Sequence, residues 1–318
     1  MSTIVITGAR GYIGSALAQR LSAEGYRPRL VSRPSDTIKD GHVQADLRDA
    51  GVWSNLIADA TAVVHLSSRT DLRSAEVDPA VDEDINIEPV RALIRAAEKA
   101  KTPVKFIFAS TVTIVGTQNE NPVDERTPDR PCSVYDRHKL GCETLLREAS
   151  ARGVLRACTL RLSNVYGYGR SSVNTNRGIL NAMMKRAADG EPLPVYGDGA
   201  YIRDFTHLDD VVAAFCAAVA SGTVGDGRHF VIATGHGHSL KEAFGMVADE
   251  AAACTGRRPE IRHIPEPPDL QPIERRNFVG DSRLFQTATG WRPKFDLKAG
   301  IRDFFTRAAA AERHGAAP

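Results

Sequence analysis

The chain opens on an apolar, β-branched run, Ile4-Val5-Ile6, and short runs of the same kind recur at intervals. They are Arg29-Leu30-Val31-Ser32, Ala62 to Leu66, Val104 to Ala109, Leu155 to Leu162 and His229 to Ala233. Continuous short apolar runs suit strands buried on both faces of a parallel sheet. Between them apolar residues recur at helical spacing: over 81–100 (Ile85, Val90, Leu93, Ile94, Ala97), over Cys132 to Ala151 and over Asp209 to Ala220. This alternation predicts an α/β fold, a doubly wound parallel sheet with helices on both faces. From 167 to 200 the texture becomes rich in Gly, Ser, Asn and Pro around one helix, Ile179 to Ala188, and 256–296 repeats that character. The pattern predicts a main domain over 1–166, rejoined by 205–235. It leaves a smaller, discontinuous substrate-binding domain from 167–204 and 236–318. The Ala-rich tail after Arg307 reads as a frayed helix end.

The first strand runs into Thr7-Gly8-Ala9-Arg10-Gly11-Tyr12-Ile13-Gly14, and an amphipathic segment from Ser15 to Ala23 follows. Strand, glycine loop and helix start form a Rossmann-type dinucleotide-binding unit. Gly8 permits the tight turn, Gly11 lets backbone approach a pyrophosphate, and Gly14 lets the helix sit against the strand. The helix N-terminus then faces the anion. Arg10, Tyr12 and Ile13 complete the loop's expected cofactor contacts. The residue about twenty positions on faces the adenosine ribose. Here Ser32 and Arg33 stand there, with Asp36 slightly further along. Two guanidiniums, Arg10 and Arg33, suit a 2′-phosphate, so the expected cofactor is NADP, with NAD as the alternative. Asp46 is placed to bond an adenine amino group, and Leu47, Leu66 and Ser67 complete the cofactor set. Ser68 and Arg69, just beyond, are expected on the substrate side.

The bulk properties narrow the class. The 318 residues are 42% hydrophobic and 25% charged, with a net charge of +2. That composition is ordinary for a globular protein, and the charge leaves no footprint for nucleic acid or an anionic membrane. Five cysteines lack metal-ligand spacing, and four sit in apolar contexts where buried free thiols are the default. No metal site is expected, and His236-Gly237-His238 reads as a polar loop. The immediate entry into a core strand leaves no room for a signal peptide, so the expected location is the cytoplasm.

The chemistry centres on Tyr135-Asp136-Arg137-His138-Lys139. Tyrosine and lysine four apart on a helix share a face, and an ammonium beside a phenol stabilises phenolate. Tyr135 then exchanges protons near neutral pH, and Lys139 can also reach ribose hydroxyls. Thr111, at a strand end, is placed to hydrogen-bond the reacting oxygen. His65 reads as a core or strand-end histidine.

Taken together, Thr7-Gly8-x-x-Gly11-x-x-Gly14, Ser110-Thr111, Tyr135-x-x-x-Lys139, Asn164-Val165-Tyr166-Gly167 and Arg203-Asp204-Phe205 resemble the extended short-chain dehydrogenase/reductases over nearly the whole chain. The resemblance implies Thr111, Tyr135 and Lys139 as the catalytic set. It implies a nucleotide-linked sugar as substrate, with Asn164 and Arg203 at its diphosphate and the segment around Val195 near its base. It also implies a homodimer formed through 85–100 and 135–151.

Three departures from the family pattern stand out. Val112-Thr113 occupy the place of the acidic pair of the dehydratases, which argues against dehydration. Val115 stands where many members have tyrosine before Gly116. The interval ahead of Phe278 to Asp281 holds Gln271 and Pro272, leaving Arg275, beside Arg276, as the expected second diphosphate arginine. The expected function is NADPH-dependent reduction of a dTDP-linked 4-keto-6-deoxyhexose at C4. A resemblance of Leu30 to Arg33, Asn176-Arg177-Gly178-Ile179 and Asp281 to Pro293 to deoxysugar 4-ketoreductases points the same way. The alternatives are a nucleotide-sugar 4-epimerase with tightly held NAD and a cofactor-sensing regulator, against which the intact triad argues.

Overall fold

The structure, a computed structural model, describes residues 1–34, 41–100, 102–117, 120–170 and 178–313. Asp36, Asn176 and Arg177 lie outside the described residues. The strands are β1 (Thr3–Thr7), β2 (Arg27–Ser32), β3 (Val43–Gln44), β4 (Ala62–His65), β5 (Val104–Thr111), β6 (Leu155–Leu162), β7 (Asn164–Tyr166), β8 (Leu193–Tyr196), β9 (Ile202–His207), β10 (His229–Ile232), β11 (Gly237–Ser239) and β12 (Ile261–Ile264). The helices are α1 (Tyr12–Ala23), α2 (Ala50–Ile57), α3 (Leu72–Val77), α4 (Pro79–Asn86), α5 (Glu88–Ala97), α6 (Val134–Ala151), α7 (Ile179–Ala188), α8 (Leu208–Ala220), α9 (Leu240–Thr255), α10 (Arg283–Thr289) and α11 (Leu297–Arg313).

Seven strands form one sheet in the order β10-β6-β5-β4-β1-β2-β3, with every pairing parallel. Its two faces carry separate apolar cores. Ile4, Ile6, Ile107 and Leu160 face α1 and α8 on one side. Val5, Val63, Phe106 and Phe108 face α2, α5 and α6 on the other. The apolar side chains alternate between layers as successive strand residues must. The chain order reverses between β1 and β4, so the carboxyl ends of these neighbours open a crevice, the usual ligand position of such sheets.

The helix expected over 81–100 is two helices. Asp78 caps the first, accepting from Val81 N, and Pro89 stands in the first turn of the second. Proline has no N–H to extend a preceding helix, so a new one starts there. The strand expected over 278–281 is an extended segment that meets Val123 in a single bridge. The tail after Arg307 is not frayed at once, since α11 continues to Arg313.

A third core collects Tyr166, α7, β8, α9 and α11. Two features depart from the expected division. β9 leaves the main sheet and pairs with β7 and β11, so 205–207 belong to the small sheet. Phe285 and Trp291 fold back into the main core, where the indole Nε1 donates to Asp210 O at 2.9 Å. Asp204 explains the junction's order. Its buried carboxylate accepts from Thr234 N and Oγ1, Gly235 N and Gly280 N, at 2.7–3.2 Å. Two loops are thereby tied to one side chain on β9. No described helix is long and apolar enough to cross a membrane.

Candidate active site

The opening glycine loop is sterically enforced. Gly8 has φ +66, and a Cβ on it would lie 2.8 Å from the Leu66 and Ser67 backbone. A Cβ on Gly14 would lie 2.3 Å from Gly8 O, so the first turn of α1 can pack on the loop only with no side chain at position 14. Together they leave a cavity of about 780 Å³ lined by Gly8, Arg10, Gly11, Ser32, Arg33, Leu47, Leu66 and Ser67. Ser68 and Arg69, expected on the substrate side, line this same cavity. Arg170 joins Arg10 and Arg33 there; the sequence reading missed it because it lies far along the chain. No acidic side chain is among the described lining residues. The bare loop at a helix N-terminus and the four guanidiniums, that of Arg69 included, fit a dinucleotide with several phosphate charges.

The other cofactor assignments fare differently. Tyr12 sends its hydroxyl to Gly167 O at 2.7 Å and lines a second cavity, while Ile13 packs against the main core. Asp46 does not present a free carboxylate to an adenine. Arg48 binds it through backbone and guanidinium at 2.6–3.1 Å, holding it below the usual carboxylate range. His65 is a core histidine. Nδ1 lies 2.9 Å from Thr7 Oγ1, the ring packs on Trp53, Phe106 and Phe108, and burial pushes it down to about 3.

The second cavity, of about 310 Å³, sits where β5 and β6 end and β7 begins. Tyr12, Thr70, Thr111, Thr113, Ser163, Asn164, Gly178 and Arg276 are among its lining residues. Beside it, α6 begins under tight control. Ser133 Oγ accepts from Asp136 N at 3.1 Å, and Glu76 takes Val134 N at 2.7 Å. The caps thereby fix the start of α6, whose first two turns carry Tyr135, Asp136 and Lys139. Lys139 is buried, with Nζ donating to Ala109 O at 2.9 Å and lying 4.6 Å from the Phe108 ring centroid and 5.7 Å from that of Tyr135.

The expected lowering of the Tyr135 pKa is not what the structure shows. Burial, followed by the nearby Asp136 and Asp82 carboxylates, holds the phenol above its ordinary value. The same burial pushes Lys139 down to about 8. Desolvation disfavours both charged forms and outweighs their mutual attraction at this separation. One turn away, His138 Nδ1 lies 2.7 Å from Asp82 Oδ2, which also takes Asn86 Nδ2 at 3.0 Å. Asn86 in turn accepts from Ser68 Oγ and Arg69 N, so α6 is linked to the wall of the cofactor cavity.

Thr111 belongs to a chain of polar groups that the sequence did not disclose. Its Oγ1 lies 2.7 Å from Thr113 Oγ1, and Thr113 donates in turn to Asp136 Oδ1. Asp136 is fully buried, and its Oδ2 has no partner.

The expected diphosphate arginines are rearranged. Arg203 is buried and spends its guanidinium on the carbonyls of Ile202, Glu274 and Arg276, and burial then Arg276 push it down to about 9. Arg275 is an exposed partner of Glu266, at 3.0 Å. Arg276 lines the cavity instead, donating to Ile273 O at 2.9 Å and Asn164 Oδ1 at 3.1 Å, with its buried Nε unpaired. Alternate residues of the turn at Pro272–Arg275 and its exit face opposite ways, which residue counting could not resolve. Val195 is buried in the third core, pairing with His263 on β12.

The sheet carries a glycine-lined crevice at its point of reversal, and residues 4–233 match the sequence pattern of the NAD dependent epimerase/dehydratase family. The chain belongs to this family. Among its relatives is the UDP-glucose 4-epimerase of Mycolicibacterium smegmatis, 28% identical over 310 residues, covering 93% of this chain and 95% of that protein. The dTDP-L-rhamnose 4-epimerase of Burkholderia thailandensis is 25% identical and covers 95% and 94%. The Thermotoga maritima UDP-glucose 4-epimerase, solved with UDP-glucose, superposes with a TM-score of 0.85 at 26% identity, covering 98% and 99%. The epimerase/dehydratase fold thus accounts for the whole chain, including the lobe beyond the matched pattern.

Proposed function

We propose that the protein is an NAD(P)-dependent 4-epimerase of nucleotide-activated hexoses. The observation that carries this reading is Thr111 followed by Val112-Thr113 at the cavity wall, with no carboxyl directly after it to drive elimination. Full-length likeness to two 4-epimerases supports it. The bound dinucleotide supplies acceptance and return of a hydride. The chain's own residues do the rest. Gly8 and Gly11 admit the pyrophosphate, and Arg10, Arg33 and Arg170 face the adenosine side. Thr111 binds the C4 oxygen, and Tyr135 exchanges its proton. Lys139 holds ribose hydroxyls, while Asn164 and Arg276 meet the diphosphate.

A second reading, NADPH-dependent 4-ketoreduction, is favoured by the arginine-lined, acid-free cofactor cavity. The two separate cleanly. Purified protein is incubated with UDP-glucose, UDP-galactose and dTDP-hexoses and the sugars are resolved by chromatography. Interconversion without net change in nicotinamide absorbance is the expected result. NADPH consumption with a dTDP-4-keto-6-deoxyhexose, and no interconversion, would replace the epimerase by the reductase. Tyr135→Phe is expected to lower kcat by about 10²-fold or more, the usual worth of a general acid or base. Unchanged turnover would remove Tyr135 from its role.

A further inference from the structure

The polar chain behind Thr111 has a direction. A threonine hydroxyl carries one proton. Thr113 gives its proton to the Asp136 carboxylate, which has none to give back while ionised. The 2.7 Å contact between the two threonines must therefore be filled by the Thr111 proton. Thr113 N also donates to Thr111 Oγ1, at 3.2 Å. Thr111 thus turns a lone pair, not a proton, toward the cavity. An acceptor at that point suits an alcohol and does not suit a ketone oxygen.

Burial makes this order durable. Asp136 is fully buried, with Oδ2 unpaired, so solvent does not compete for its proton-accepting capacity. The cavity that Thr111 and Thr113 line is the one that also holds Asn164 and Arg276. Tyr135, the neighbouring residue, is held above its ordinary pKa by burial and then by this carboxylate. A phenol that keeps its proton is a poor acceptor, and a second acceptor lies one residue away.

We propose that Asp136, acting through Thr113 and Thr111, is a second acceptor for the C4 hydroxyl proton, parallel to Tyr135. The inference rests on the oxidation of a C4 alcohol set out above. In that step the C4–H bond breaks and its electron pair leaves as hydride, for which the nicotinamide is the oxidant. The C4–O–H proton passes to Thr111 Oγ1, the Thr111 proton to Thr113, and the Thr113 proton to Asp136 Oδ1. The products are a 4-ketose, reduced nicotinamide and a neutral Asp136. Return of the hydride runs the same chain backwards. Asp136 and Thr113 are positioning residues in this scheme, since only Thr111 touches the substrate.

The test uses the full chain with its cofactor and UDP-glucose as substrate. Tyr135→Phe should keep turnover above the protein-free background. Adding Asp136→Asn, or Thr113→Val should the first variant fail to fold, should cut that remainder at least about tenfold, within the range of proton-transfer catalysis. Thr113→Ser in the Tyr135→Phe background should recover the remainder to within about threefold, because it restores the hydroxyl. A purely steric role for the methyl group would rank Val above Ser. In Tyr135→Phe the rate in mixed H₂O and D₂O should bow downward, showing several protons in motion. No residual turnover in Tyr135→Phe, a linear isotope response, or a double variant as active as Tyr135→Phe would each overturn the relay. A readout independent of turnover is the low-field proton resonance of the Thr113 hydroxyl held by a carboxylate, expected in the wild type and lost in Thr113→Val. Its absence would overturn the relay. Wild-type inactivity toward every nucleotide sugar with that resonance present would instead overturn the epimerase reading.

Discussion

At the scale of the residue, burial decides the behaviour of the site more than pairing does. Lys139 shows the sign plainly. Burial pushes it down to about 8, whereas a free lysine titrates near ~10.4. Between those values the unfolded chain binds more protons than the folded one, so stability rises with pH across that window. The cost is fully present below pH 8 and gone near pH 10. Lys139→Met should therefore melt highest relative to wild type at pH 7, with the difference shifting toward wild type as pH climbs from 8 to 10. Parallel melting curves over that range would mean that Lys139 is not perturbed. The residues of the site were unevenly legible. Spacing singles out Thr111, Tyr135 and Lys139 through a strand end and a helical i, i+4 pair, and of these Thr111 lines the second cavity. Asp136 and Arg276 could not. Each is bonded to a neighbour from another element, Thr113 on one side and Asn164 on the other. Asp46 and Arg203 misled because nearby groups, Arg48 and the carbonyls of 274 and 276, occupy them first.

At the scale of the element, α6 is the piece on which the site depends. Its first two turns carry Tyr135, Asp136 and Lys139, and beyond them it is bolted to the sheet. Glu143 on α6 takes Arg161 Nε at 3.0 Å and NH2 at 2.7 Å, and also binds Ser110. Arg161 is buried, and Asp129 takes its remaining edge at 2.6 Å and 3.1 Å. Removing one member leaves a buried guanidinium half-matched. Glu143→Ala should cost about 3 kcal/mol, read from the denaturant midpoint. A loss under about 0.5 kcal/mol would class the pair with ordinary surface bridges. Strands and helices in the main sheet were legible because their apolar runs repeat with clear period. The break before α5 was not read, although Pro89 marks it, because apolar spacing continues through it.

At the scale of the whole molecule, the proposed choice between the two dinucleotides falls to the cavity at the glycine loop. Arg10, Arg33 and Arg170 converge from a loop, a strand end and a distant turn. Arg33→Asp should weaken NADPH by about ten- to a hundredfold, the worth of a charge-assisted bond to phosphate, and spare NADH. Fluorescence titration of both reduced cofactors gives the ratio, and an unchanged ratio would exclude Arg33 from that choice. The parallel, doubly wound character of the sheet was readable from alternating strand and helix patterns, but the path of the chain through its lobe was not. That path depends on single side chains such as Asp204 and Trp291, which leave no periodic trace.

The chain passes between its main and third cores after Leu162, Phe205, Ile232, Ala251 and Trp291. A lobe woven in this way is not a module. It cannot be exchanged for a relative's lobe by one fusion point, since a single splice would strand Trp291 or α8 on the wrong side. Descent within such a fold must then alter substrate choice by replacing side chains in place, one cavity wall at a time. Recombination of halves would meet mismatched cores before it met a new substrate.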